Sequence, residues 1–244
     1  MRWKNRQSEC LLTRREVMAW LGAGGASWLM GGKPVLAQPA PGTSRSLCIV
    51  RPEQTEGPYF VDERVHRSDI RSDPTSGKVT VGTLLAITFQ VMRLQVGHCL
   101  PLPNAQIDIW HCDASGVYSD VQDPGFDTTG QKFLRGYQLT NAQGTAQFQT
   151  IYPGWYPIRT VHIHFKIRMA PISGKSYEFT SQVYFPDDLT DLVHSAAPYA
   201  SKGSRKVTNH QDFIFRQGGQ QLMLQPSRLD DAYTVVFPIA LNLP

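Results

Sequence analysis

Cysteine is scarce in this sequence. Of four in 244 residues, Cys10 falls in a basic leader, and Cys48, Cys99 and Cys112 remain. No C-x-x-C spacing occurs, which argues against a structural zinc site. Three cysteines allow at most one disulfide within the chain, with three possible pairings. Charge is sparse too, at 18% of residues. Six of the 24 basic and two of the 20 acidic residues lie in residues 1–37, so 18 of each remain beyond them. A neutral remainder excludes the basic surface that nucleic-acid binding requires. No stretch sustains helical periodicity for three turns, and no repeat or low-complexity segment is present. No phosphate-cradling glycine loop or nucleophile motif occurs either.

What is there suits strands and turns. The chain is 41% hydrophobic, with 20 Gly and 17 Pro, enough for one domain with a real core. Residues 1–37 read as a Tat-type signal peptide. A basic region holds the pair Arg14-Arg15, an uncharged run follows from Val17 to Gly32, and Val35-Leu36-Ala37 fits a small-residue cleavage site. The run is too short and too rich in Gly and Ala for a membrane span, which needs about 20 apolar residues. A Sec signal or an uncleaved anchor is the alternative reading. The expected location is periplasmic or secreted, with no membrane span once the signal is removed. Residues 38–46 read as a flexible lead-in, and 47–244 as the functional domain.

Within that domain, Val79, Val81, Leu85, Ile87, Phe89 and Val91 alternate, predicting a strand over 79–91 with one buried face. Further strands are expected at 105–112, 160–168, 177–185, 212–216 and 232–237. Asn141–Gly144 reads as a hairpin turn between two strands. Residues 187–195 read as a short helix started by an Asp cap. These elements predict a single all-β domain, a β-sandwich.

The stretch YPIRTVHIHF, residues 156–165, raises the question of chemistry. On a strand, His162 and His164 share one face with Lys166 and Arg168, and Val161, Ile163, Phe165 and Ile167 share the other. Two imidazoles at i and i+2 can bind one metal, although a polar outer face containing histidine would look the same. No carboxylate lies between residues 157 and 177 to complete a two-histidine, one-carboxylate iron site. Tyrosines crowd the approach instead: Tyr118, Tyr152 and Tyr156. A phenolate is a hard anionic ligand suited to Fe(III).

With these residues in view, the sequence resembles the intradiol ring-cleavage dioxygenases, which include catechol 1,2- and protocatechuate 3,4-dioxygenases. The resemblance runs through EQTEGPYF (53–60), LPNAQIDIWHCDASGVYS (102–119), TIYPGWYPIRTVHIHF (150–165) and SQVYF (181–185). The EGPYF form and the leader look most like the exported branch of that family. The resemblance implies a β-sandwich holding a non-haem Fe(III) through Tyr118, Tyr156, His162 and His164. It implies Arg159 and Gln182 beside the substrate, and Tyr156 as both ligand and base. The implied reaction cleaves a catechol with O2 between its hydroxylated carbons, giving a muconate-type diacid. Tyr152 is expected to pack, His111 to be a hydrogen-bonded core residue, and His66, His98, His194 and His210 to lie on the surface or in loops. Tyr59 could line the pocket or pack in a turn. The family carries a longer loop between the second tyrosine and the histidines; here only Pro157–Val161 intervene, which implies an open pocket. Two alternatives are a non-catalytic β-sandwich that binds aromatics or metal, and a copper or zinc protein using the histidines.

Overall fold

The alternating segment does form a strand, but a later one. In the computed structural model, which describes residues 48–172 and 175–243, β1 spans Leu84–Gln95. The expected signal peptide at 1–37 and lead-in at 38–46 lie outside the described residues. Leu85, Ile87, Phe89 and Val91 are at most 1% exposed, whereas Val79 and Val81 are 54% and 71% exposed. Partners explain the difference. Both long neighbours of β1, namely β7 (Thr145–Ile151) and β11 (Ala232–Leu241), begin their pairing at Leu84. Val79 makes only an isolated bridge to Ser72.

The first sheet runs β10 (Ser227–Leu229), β11, β1, β2 (His98–Pro101), with β7 also on β1. The β1–β11 pairing is parallel and the others are antiparallel. The second sheet is antiparallel throughout, in the order β6 (Arg135–Leu139), β3 (Gln106–Trp110), β8 (His162–Ile172), β9 (Lys175–Tyr184). A small ribbon, β4 (Gln122–Asp123) with β5 (Phe126–Asp127), stands apart. The two large sheets share an aromatic centre. Phe89 of the first lies 5.2 Å from Phe165 of the second and 5.8 Å from Phe237, ring centre to ring centre. Such pairs add to the roughly 1.5–3 kcal/mol that burying each ring contributes. The chain is a β-sandwich, as its sequence predicted.

Three local expectations are corrected. Asn141–Gly144 is not a hairpin turn, because β6 pairs with β3 and β7 pairs with β1 in the other sheet. The Asn141 carboxamide closes the turn on the backbone of Gln143 and Thr145, which needs no strand pairing across it. Residues 212–216 form turns, not a strand. The Asp212 carboxylate accepts from the backbone N–H groups of Ile214 and Phe215 at 2.7 and 2.9 Å, which folds the chain back on itself. The helix α1 spans Asp187–His194, but Pro186 occupies its N-cap without a side-chain bond. Asp187 turns to the Arg205 guanidinium instead.

The outer face of the second sheet is covered. Residues 52–60 run over β9 and β8 as a strap, with Gln54 N–H bonded to Thr180 O and Ser181 Oγ to Pro52 O. The Phe60 ring lies over Trp110 and under the Lys166 ammonium. His162, His164 and Lys166 are therefore 2%, 1% and 7% exposed, so the polar face of β8 is interior. The disulfide joins Cys48 to Cys99, tying the start of the strap to β2, and Cys112 is free and buried. Among the described residues, no helix is long and apolar enough to cross a membrane.

Candidate metal centre and substrate site

Strand register assembles the site. On the covered face, Trp110, His164 and Gln182 sit side by side on β3, β8 and β9, and His162 sits beside Tyr184. The Trp110 ring stacks on the His164 ring at 5.0 Å and 6°. His162 Nδ1 lies 2.6 Å from Thr160 O. A carbonyl can only accept, so Nδ1 carries the proton and Nε2 presents a lone pair. That Nε2 is 3.0 Å from His164 Nε2 and 3.2 Å from the Tyr156 hydroxyl. The Tyr118 ring lies 5.7 Å from Tyr156, edge to face, and 6.4 Å from His164. Tyr118 is 1% exposed, and among the described residues its hydroxyl has no hydrogen-bond partner. The structure thus brings together all four residues implied as ligands.

The donor set fits a hard cation. Two imidazole nitrogens 3.0 Å apart are close enough to hold one ion between them. Burial and the nearby Arg159 charge hold both imidazoles well below their ordinary range, so they stay neutral with lone pairs available. Burial pushes the Tyr118 and Tyr156 phenols well above theirs. Only a strongly charged ion would take their protons at neutral pH. Among the described residues, no three or more His, Cys, Asp or Glu side chains gather as a metal-binding group. An ion at the histidine pair would therefore draw its remaining protein ligands from the phenols.

Beside this cluster lies a cation. Arg159 is 7% exposed and donates to Gln182 Oε1 at 2.6 Å and to Asp212 Oδ2 at 2.8 Å. Burial opposes its charge, but Tyr156 and Asp212 outweigh that and hold the guanidinium protonated. Gln182 donates to Thr55 O on the strap, and the Tyr184 hydroxyl lies 2.6 Å from Gln54 Oε1. Gly57 passes so close that a Cβ there would lie 3.1 Å from His164 Cε1, with a backbone φ of +72° that favours glycine. Tyr59 stacks on Tyr118 at 4.4 Å and donates to Asp123 Oδ2 at 2.8 Å, and burial and that carboxylate push its phenol up to about 12.

The remaining candidates stand apart. Tyr152 is buried in the main core with its hydroxyl 2.8 Å from Thr190 Oγ1, a packing residue as expected. His111 is fully buried between Cys112 O and Thr150 Oγ1, as expected of a core histidine. His66, His98 and His210 are exposed. His194 is not a surface residue; it is 7% exposed on α1, with Nε2 donating to Pro153 O. Sequence reasoning missed Asp212, Gln54 and Thr55. Asp212 lies in NHQDFIF with no spacing to mark it, and only the tertiary fold brings it to Arg159.

Comparison with known proteins agrees with this architecture. A family model described as a dioxygenase matches residues 55–214, more than half of the chain. An intradiol ring-cleavage dioxygenase from Tetranychus urticae is 31% identical with a TM-score of 0.70, the match covering 80% of this chain and 95% of that one. The chain belongs to the intradiol ring-cleavage dioxygenase family. The dioxygenase domain of a carbohydrate-binding fusion protein from Streptomyces sp. SirexAA-E is 26% identical, with a TM-score of 0.56 and coverage of 80% of this chain and all of that one. The beta chain of protocatechuate 3,4-dioxygenase from Burkholderia cepacia is 31% identical over 113 residues, 42% of this chain and 47% of that protein. The chain spans less than half the length of the curated relatives it matches.

Proposed function

We propose that the protein is a non-haem Fe(III) intradiol dioxygenase that opens catechol-type rings with O2, between the hydroxylated carbons, to give muconate-type diacids. The observation that carries this reading is the convergence of His162 Nε2, His164 Nε2 and the Tyr156 hydroxyl within 3.0–3.2 Å contacts, beside the unpartnered Tyr118 hydroxyl. Tyr118, Tyr156, His162 and His164 would hold the ion. When bound, ferric iron supplies a Lewis-acidic point for both catechol oxygens and activates the ring toward O2.

The side chains divide the remaining work. With the ion bound and its own proton displaced, Tyr156 would take a catechol proton at its phenolate oxygen. Burial supports this division of roles, because Tyr156 is only half-buried on the loop into β8 while Tyr118 is locked in the interior. Arg159 stabilises negative charge that develops on the substrate oxygens, and Gln182 holds Arg159 in place. Trp110 and Tyr59 cover the ligand rings and exclude water from them.

Metal analysis with a visible spectrum tests the assignment. Phenolate-to-Fe(III) charge transfer should colour the purified protein red to burgundy, and oxygen uptake should follow addition of catechol. Tyr118→Phe or His164→Ala should remove colour and turnover together; retained turnover in either variant contradicts the ligand set.

We also propose that the protein is exported by its Arg14-Arg15 leader. The Cys48–Cys99 disulfide supports this, because such bonds persist in oxidising compartments. Replacing Arg14 and Arg15 together with Lys should leave the protein in the cytoplasm, as read by cell fractionation.

A further inference from the structure

Tyr156 and Arg159 stand three positions apart, yet both reach the same site, so the chain turns sharply between them. Pro157 fixes its own φ at about −65°, and Ile158 carries a φ of +68°. Proline followed by a positive φ is the pattern of a type II turn, which takes glycine or asparagine at the second of these positions. Six non-glycine residues have a positive φ among the described residues, and Ile158 is the one that is β-branched. A branched Cβ is strained there. Burial does not offset the strain, because Ile158 is 75% exposed. Its neighbours must hold it in place.

The two ends of the turn are held unequally. Downstream, Arg159 donates to Asp212 and Gln182, Thr160 N–H donates to the same Asp212 carboxylate, and the Thr160 hydroxyl donates to Asn209 Oδ1 at 2.7 Å. Upstream, Tyr156 is half-buried. Its hydroxyl lies 3.2 Å from His162 Nε2, and its ring meets those of Tyr59, Tyr118 and His162 edge-on. When Ile158 relaxes toward the extended region, Tyr156 is the end that gives.

We propose that Ile158 is a positioning residue for Tyr156. Its strained backbone weakens the hold of the phenol on the histidine pair, so that an incoming catechol displaces the phenol readily. This role rests on the reading of Tyr156 as ligand and base, and it adds what sets the balance between the phenol's two positions.

Ile158→Gly and Ile158→Asn relax the turn by different means, since both residues tolerate a positive φ. Ile158→Val keeps the branched Cβ. In the iron-free protein the two relaxing variants should melt about 2–4 °C above wild type, and Ile158→Val should match wild type. In the iron-loaded protein without O2, the relaxing variants should bind catechol roughly 5- to 30-fold more weakly and release iron to EDTA more slowly by a similar factor. A merely structural role moves stability and affinity the same way; here they move in opposite directions. In a Tyr156→Phe background, Ile158→Gly should no longer change iron release, because the phenol on which the strain acts is gone. Unchanged melting in both relaxing variants overturns the strain. Higher melting with unchanged catechol affinity, or an Ile158→Val variant weakened as much as Ile158→Gly, overturns the positioning role and leaves the catechol reading intact. A wild type that takes up no ferric iron, or takes it up and binds no catechol, removes the catechol reading and the positioning role with it.

Discussion

Arg159 carries its charge into a site where it is 7% exposed, and Asp212 is what makes that tenable. The Asp212 carboxylate also accepts from Thr160 N–H at 2.8 Å, so one buried side chain fixes the guanidinium and the chain leading into His162. Asp212→Asn keeps the shape and removes the charge. It should lower kcat by roughly 10- to 100-fold by loosening Arg159, and thermal melting should show that the fold survives. Asp212→Ala would leave the guanidinium unpaired and cost about 3–5 kcal/mol, read by chemical denaturation. Gly57 is the complementary case, a residue defined by what it lacks. Gly57→Ala should cost about 1–2 kcal/mol for its left-handed backbone, and its methyl would press on His164. Reduced iron content at unchanged expression is the expected readout.

The strap is the element on which the site depends. Residues 52–60 have no strand partner of their own within either large sheet, yet they supply Thr55 to Gln182, Gly57 to His164 and Tyr59 to Tyr118. They are held by side-chain bonds and, upstream, by the Cys48–Cys99 disulfide, whose partners are 51 residues apart. Replacing Cys99 with Ser should cost about 2–4 kcal/mol of stability. Denaturation with and without reductant measures this, and reductant should have no effect on the variant. The sheets themselves rest on the aromatic centre. Phe89→Ala removes a ring packed against Phe148, Phe165 and Phe237 and should cost about 3–5 kcal/mol.

For the molecule as a whole, buried neutral histidines set the acid limit. Burial lowers His111 to about 4, against roughly 6.5 in an unfolded chain. Below pH 6.5 the unfolded chain takes up a proton that the folded one refuses, so stability falls as pH drops and continues to fall to about pH 4. Denaturation midpoints measured from pH 7 to pH 4 should decline through that window, and His111→Gln should flatten the decline. The sequence by itself determined the sandwich, and its resemblance to the family pointed to Tyr118, Tyr156, His162 and His164, which the fold brings together. Alternation at Leu85–Val91 and at Val161–Ile167 is local chemistry, and so is the pairing of two imidazoles at i and i+2 with tyrosines upstream. It misled where a partner decides the outcome: Val79 and Val81 alternate correctly but have no strand beside them, and Asn141–Gly144 joins strands of different sheets. Only the tertiary structure decided that the histidine face is buried, that Gly57 and Trp110 enclose it, and that Asp212 holds Arg159. Those contacts join residues 53 to more than 100 positions apart, and no local pattern encodes a meeting that chain topology alone creates.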